Sequence, residues 1–414
     1  MFKSNIINDI NISLHNILKN THDYKLLKEL LIDYYKKDIF IKYKEKQIIK
    51  PKETKLLINC NHFISSTEII KLDSISPKNF NGFTPNQIKT AYNIPTVIPI
   101  KSKNTPNITI IIAYHYPHLQ RDFNIFCTEF CLPSKTINII NLTGSNDNSS
   151  TQNGWDTEVC LDVQIAYSIN PNANIVVIEA KSNSLEDLLD AINYANGLPN
   201  THIVSMSWGC DEFLGETNYD NYFNKNICYT VSSGDTNLPS FPAVLSGVVA
   251  VGGTTLTLNP KNIRKSEYTW TEAGCGYSNY ISKPSYQNKI NKKNYRCIPD
   301  VSLVGNPFTG VQIYCNGCWY IVGGTSVSNP IFAGIISLSN CDRLNKGKKI
   351  LNSSNYTLQN YMYQTLNNNL IYNKDFFDIT KGKDGSYSAG IGFDEATGLG
   401  VPNGINFVND LLNL

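Results

Sequence analysis

The sequence predicts an α/β fold: a doubly wound, mostly parallel sheet behind a short N-terminal segment. Three observations carry this. Near-continuous apolar, β-rich runs recur at 108–113, 136–142, 174–180, 203–207, 227–232 and 248–251, as in strands buried on both faces. Helical patterns lie between them, notably at 157–168 and 184–195, and strand–helix alternation is the signature of a parallel sheet. The texture also changes near residue 80: earlier residues are rich in Lys and Ile and poor in Gly.

Taken in order, residues 1–80 form the N-terminal segment, with a helical period at Leu26, Leu27, Leu30, Leu31 and Tyr34. The stretch from Asp73 to Gly82, with Pro77 and several Ser and Asn, reads as a linker. Residues 81–414 carry the α/β pattern. The helix at 184–195 starts with a Ser184-Leu185-Glu186-Asp187 capping pattern. Cys315-Asn316-Gly317-Cys318 puts Asn-Gly between two apolar runs, a hairpin turn signal. Its two thiols leave three readings open: a plain hairpin, a disulfide across it, or a metal or redox pair.

Composition excludes several functions. The net charge is +2, from 36 basic and 34 acidic residues, so no bulk field draws in nucleic acid. Arg121, Arg264, Arg296 and Arg343 are the only arginines, so guanidinium forks for bases or phosphates are scarce. No apolar run reaches the ~20 residues of a membrane span, and Met1 to Asn20 shows no signal-peptide pattern. Eleven cysteines cannot all pair within one chain. Their thin spread suits free thiols in a reducing compartment.

Three motifs carry chemistry. In the first, Gly323-Gly324-Thr325-Ser326 opens an apolar helix, with Pro330 fitting its first turn. A serine there has free helix N–H groups beside it to hold a developing oxyanion. An ordinary N-cap would read the same way. In the second, Trp155 to Ala166 reads as an amphipathic helix with Glu158 and Asp162 four apart on one face. Partly buried, two such acids raise each other's pKa or share a proton, which makes a carboxylate a competent base. Exposed, they are merely solvated. In the third, the strand ending Ser232-Ser233-Gly234 puts Asp235 at its carboxyl end, where doubly wound sheets bind ligands. No histidine lies in a comparable motif. His115 and His118 fall in an aromatic, Pro-containing stretch.

Together and in this order, the three motifs resemble the sedolisin family of serine-carboxyl peptidases over about residues 83–414. Gly82 to Pro95 is similar to that family's catalytic-domain start. Ser205-Met206-Ser207-Trp208-Gly209 is similar to its Ser-x-Ser-Trp-Gly strand end. The resemblance implies a subtilisin-like fold and a serine-carboxyl endopeptidase that acts at acidic pH on peptides or unfolded proteins. It implies Ser326 as nucleophile, Glu158 as general base, Asp162 as its orienter, Asp235 as oxyanion donor, and Trp208 lining the cleft. It also makes the Asp378 to Asp394 region a calcium site for one structural ion. Asp378 and Asp394 would give side-chain oxygens and Ile379, Gly390 and Gly392 carbonyls, donors of the kind a hard cation prefers. Residues 1–80 would be a reduced prodomain.

Two other readings remain: a tripeptidyl-type exopeptidase, and a catalytically silent scaffold. The expected protein is a monomer without nucleic acid or a membrane span. Its compartment is open between cytosol and virion, with action in an acidic compartment.

Overall fold

The computed structural model describes residues 70–72, 82–95, 105–145, 149–152 and 154–414, and the first element among these is strand β1 (Ile70–Leu72). The helical period at Leu26–Tyr34 and nearly all of the linker at 73–82 lie outside the described residues. Helix α1 (Pro85–Ala91) opens the α/β region with a Thr84–Gln87 capping box.

The main sheet follows the predicted runs. Its strands are β2 (Asn107–Ala113), β3 (Asn138–Asn141), β4 (Asn174–Ala180), β5 (Thr201–Met206), β6 (Cys228–Ser232), β7 (Val248–Leu258), β8 (Arg264–Thr269) and β9 (Val301–Val304). Their order is β8-β7-β6-β5-β2-β4-β3, with β9 also paired to β7. All pairs are parallel except β8 with β7. β7 runs past its expected end at Val251, because Thr254–Leu258 pair with the β8 segment. The apolar runs make this sheet because Ile, Val and Ala fill both of its faces: Ile108, Ile110, Ile111, Val177, Ile178, Ile203, Val204 and Val249 are fully buried.

The helices that matter for the site are α2 (Leu119–Glu129), α3 (Trp155–Ile169), α4 (Leu185–Gly197) and α5 (Thr325–Asn345). Ser184 caps α4, accepting from the Asp187 amide at 3.2 Å. Helix α3 differs from its amphipathic reading: all fifteen residues are buried. It packs against α5, α2, the sheet and the hairpin of β10 (Val311–Cys315) and β11 (Cys318–Val322), so no face meets water. That hairpin turns on Asn316 and Gly317, both at positive φ as an Asn-Gly turn requires. Cys315 and Cys318 face each other across it as free thiols, so the disulfide reading does not hold. Strand β1 adds to the outer side of β11.

Helices α3 and α5 run side by side in the same direction. Glycine makes this possible at Gly334, where an added Cβ would lie 2.5 Å from Ile169 Cβ. Asn170 Nδ2 donates to Ser337 Oγ at 2.8 Å beyond that contact. At the other end, the same alignment brings the start of α5 to the first turn of α3.

Candidate active site

Four elements converge at the carboxyl edge of the sheet, where open α/β sheets bind ligands. β5 leads into Ser207 and Trp208, β6 leads into Asp235, α5 begins with Ser326, and α3 supplies Glu158 and Asp162. Because β5 and β6 are parallel and pair Met206 with Val231, Ser207 and Asp235 leave the same edge. A groove there is lined by Ser207, Trp208, Asp235, Thr325 and Ser326, with Asp211 and Ser240.

Ser326 sits at the second position of α5 and is 3% exposed. Its Oγ lies 3.4 Å from the Ser207 carbonyl. The serine also stands beside Glu158, where its hydroxyl favours the ionised carboxylate. Helix α5 starts at Thr325, so Pro330 falls in its second turn and not its first. Proline has no N–H, so the Ser326 carbonyl loses its usual i+4 helical donor.

Glu158 and Asp162 lie buried one turn apart, Glu158 beside Ser326 and Asp162 bonded to Ser207. Burial, then the Asp162 charge, drives the Glu158 pKa well above the carboxylate range. Asp162 also rises through burial, opposed by Ser207 Oγ, which donates to its Oδ1 at 2.7 Å. Asn329 Nδ2 in turn donates to Ser207 Oγ at 3.3 Å and to Ser205 Oγ at 3.0 Å. Two buried acids one turn apart titrate as a coupled pair rather than independently. Burial first, and the Glu272 charge last, lift Asp235 to about 6. The Thr325 amide and hydroxyl both bind its Oδ1, at 2.8 and 2.7 Å. Its Oδ2 takes no hydrogen bond and stands over Gly324. A Cβ on Gly324 would lie 2.7 Å from that oxygen, and φ there is +106°. Both facts demand glycine.

The structure thus brings Ser326, Glu158, Asp162 and Asp235 together. Trp208 lines the groove while its indole N–H donates to the Ile111 carbonyl at 3.0 Å. Sequence reasoning missed Asn329 and gave Ser207 no role of its own. The Ser-x-Ser-Trp-Gly match was the available signal for Ser207; Asn329, one helical turn after Ser326, had none. The described histidines lie elsewhere. His115 Nδ1 is 2.6 Å from buried Glu179, and His202 Nδ1 accepts from the Asn107 amide.

The C-terminal carboxylates meet on one loop system. Asp378 accepts from Tyr372 Oη at 2.9 Å and from the Gly392 amide at 3.0 Å. Asp394 accepts from the amides of Gly390, Ala396 and Thr397 at 2.8–3.0 Å. Gly390 and Gly392 therefore turn N–H groups to these acids. Ile379 is buried beside Asp378. Two carboxylates gathered by one glycine loop suit a hard cation.

A serine at a helix start beside a buried carboxylate, at the carboxyl edge of a mostly parallel sheet, fits a serine-type peptidase. The subtilase family profile matches residues 143–399, and the chain belongs to that family. Kumamolisin from Bacillus sp. (strain MN-32) is 28% identical over 373 residues, covering 80% of this chain and 64% of kumamolisin. Bovine tripeptidyl-peptidase 1 is 25% identical over 386 residues, covering 80% and 65%. The solved structure of Pseudomonas sedolisin, a serine-carboxyl proteinase complexed with two molecules of pseudo-iodotyrostatin, has a TM-score of 0.65. It is 24% identical and covers 80% of this chain and 98% of that one. The chain spans less than two thirds of the length of the curated relatives it matches.

Proposed function

We propose that this protein is a serine-carboxyl endopeptidase that cleaves peptides or unfolded proteins at acidic pH. The observation that carries this reading is the placement of Ser326, at the start of α5, beside buried Glu158, with Asp162 one turn further on. Glu158 takes the Ser326 proton as Oγ attacks the scissile carbonyl. The negative charge moves to the carbonyl oxygen, which the Ser326 amide and protonated Asp235 Oδ2 stabilise. Glu158 then gives its proton to the departing amine, and the acyl-enzyme forms. Water, deprotonated by Glu158, releases the product. Asp162 and Ser207 orient Glu158 and accommodate its changing charge.

Asp235 can donate only when protonated, so activity falls as pH rises through about 6. Asp378 and Asp394 fit a structural calcium ion, with carbonyls of Ile379, Gly390 and Gly392 completing its shell. Bound, the ion neutralises two acids and fixes the loop. Calcium chemistry enters no catalytic step.

The test is cleavage of an unfolded protein between about pH 3 and 7, with calcium, by wild type and Ser326→Ala. Acid-side activity that vanishes in the variant supports the reading, and activity retained by the variant overturns it. Tripeptidyl-peptidase relatives keep an exopeptidase form in view. Cleavage of N-acetylated peptides as fast as free ones supports the endopeptidase; loss on acetylation supports the exopeptidase.

A further inference from the structure

Behind the catalytic helix lies a second cluster of reactive groups that the peptidase reading does not use. Asp122 from α2, Cys160 from α3 and Cys315 from the tip of β10 turn inward together. One ligand atom from each lies within 4.8 Å of the others, and all three residues are buried. The Cys160 and Cys315 sulfurs lie beside each other within that distance. Tyr116 Oη completes the group: it donates to Asp122 Oδ2 at 2.5 Å and lies 3.9 Å from Cys315 Sγ.

We propose that Cys160, Cys315 and Asp122, with Tyr116 Oη as fourth donor, bind one thiophilic divalent cation of the zinc type. Two sulfurs and two oxygens form a four-donor set suited to tetrahedral zinc. Bonds of about 2.3 Å to sulfur and about 2.0 Å to oxygen place tetrahedral ligands roughly 3.3–3.8 Å apart, inside the observed limit. A hard cation such as calcium has no use for two thiols.

The surroundings are built for the charge. Arg121 Nε donates to Asp122 Oδ1 at 2.8 Å, and the Asn316 amide donates to Oδ2 at 2.7 Å. These outer contacts aim the carboxylate as second-layer partners of a metal ligand do. They also balance the site. A divalent ion with two thiolates and one carboxylate carries one net negative charge, and the Arg121 guanidinium offsets it. Binding releases the two thiol protons to solvent. Asp122 now accepts three hydrogen bonds; when Tyr116 turns its O–H away, an Oδ2 lone pair is free for the ion.

Placement gives the site a consequence. Cys160 lies between Glu158 and Asp162 on α3, and Cys315 borders the Asn316-Gly317 turn. A bound ion ties the catalytic helix to the hairpin and to α2. Spacing along the chain does not reveal it, because the three ligands come from three elements. Cys315 pairs with Cys160 rather than with the nearer Cys318.

The test uses the full chain, stripped by chelator, kept reduced and held in excess calcium. It is titrated with Co²⁺, whose thiolate complexes have charge-transfer bands that calcium-type sites lack. One equivalent binds with thiolate-to-cobalt and tetrahedral d–d bands, Zn²⁺ displaces it, and the melting temperature rises. Cys160→Ser and Cys315→Ser each abolish the charge-transfer band, while Cys341→Ser keeps it. Arg121 is half-exposed, so Arg121→Ala leaves the fold intact even where a cysteine variant does not. It weakens Co²⁺ binding by about 10–100-fold. Absence of the band at excess Co²⁺ overturns the proposal, as does a band that survives both cysteine variants. A Cys160–Cys315 disulfide in a protein whose reduced form binds no Co²⁺ also overturns it, in favour of a redox pair.

Discussion

Two pairs of acids, about 220 residues apart in sequence, show how donors decide what a carboxylate does. Glu158 and Asp162 meet hydroxyl groups, those of Ser326 and Ser207. Asp378 and Asp394 meet mostly backbone amides, from Gly392, Gly390, Ala396 and Thr397. A hydroxyl can give its proton away and take it back. An amide keeps its proton and only holds geometry. On the proposed function, the first pair serves proton transfer and the second scaffolding, although both are built from the same chemistry.

The sharpest break in the comparison is Ser326→Ala, which removes the proton that Glu158 takes in the proposed mechanism. Proteolysis should fall by about 10⁶-fold, while calcium-dependent melting stays as in wild type. Steady-state cleavage and calorimetry on the same sample check both halves. Glu158→Gln keeps the shape but not the basicity, and should cost about 10²–10⁴-fold in kcat. Asp235→Ala should cost about 10²–10³-fold. Asp235→Asn retains a donor that does not titrate, so the fall in kcat/KM as pH rises through about 6 should disappear from its pH profile.

The same Asp235 makes a stability prediction. Its pKa is lifted from 3.8 to about 6 on folding, so the native state holds the proton more tightly than the unfolded chain. Its burial is unopposed below about pH 4 and costs up to about 3 kcal/mol once pH exceeds 6. Asp235→Asn should therefore raise the melting temperature at pH 7 more than at pH 4. An equal change at both values would contradict the shift. At the other pair, Asp394→Asn should leave acid-side kcat nearly unchanged in excess calcium. It should abolish the rise in melting temperature that calcium gives, a loss of roughly 3 kcal/mol at calcium a hundredfold above Kd. A melting temperature unaffected by calcium in wild type would remove the scaffolding half of the comparison.

Gly324 and Gly334 sharpen the contrast further. Each is a place where backbone approach, and not side-chain chemistry, sets the active geometry. Gly334→Val should push α5 from α3 and lower activity together with stability. Gly324→Ala should act mainly on activity, because its Cβ meets the Asp235 oxygen.

Much of this was legible in sequence because it depends on spacing within one element. The runs at 174–180 and 203–207 read as buried strands since both faces are apolar. Glu158 and Asp162 share a face because four residues only slightly overshoot one helical turn. Asn316-Gly317 makes its turn because both residues tolerate positive φ.

What only the tertiary structure decided lies between elements. It buried every face of α3, turning an expected amphipathic helix into a core one and raising both acids. It laid α5 along α3 through Gly334, and so put Ser326 against Glu158. It set Asn329 behind Ser207, moved Pro330 to a second turn, and gathered Asp122, Cys160 and Cys315 from three elements. Backbone geometry sets distances of a few residues, which a sequence records directly. Distances across the core follow from packing, where the shapes of many side chains act together and no short motif carries the answer.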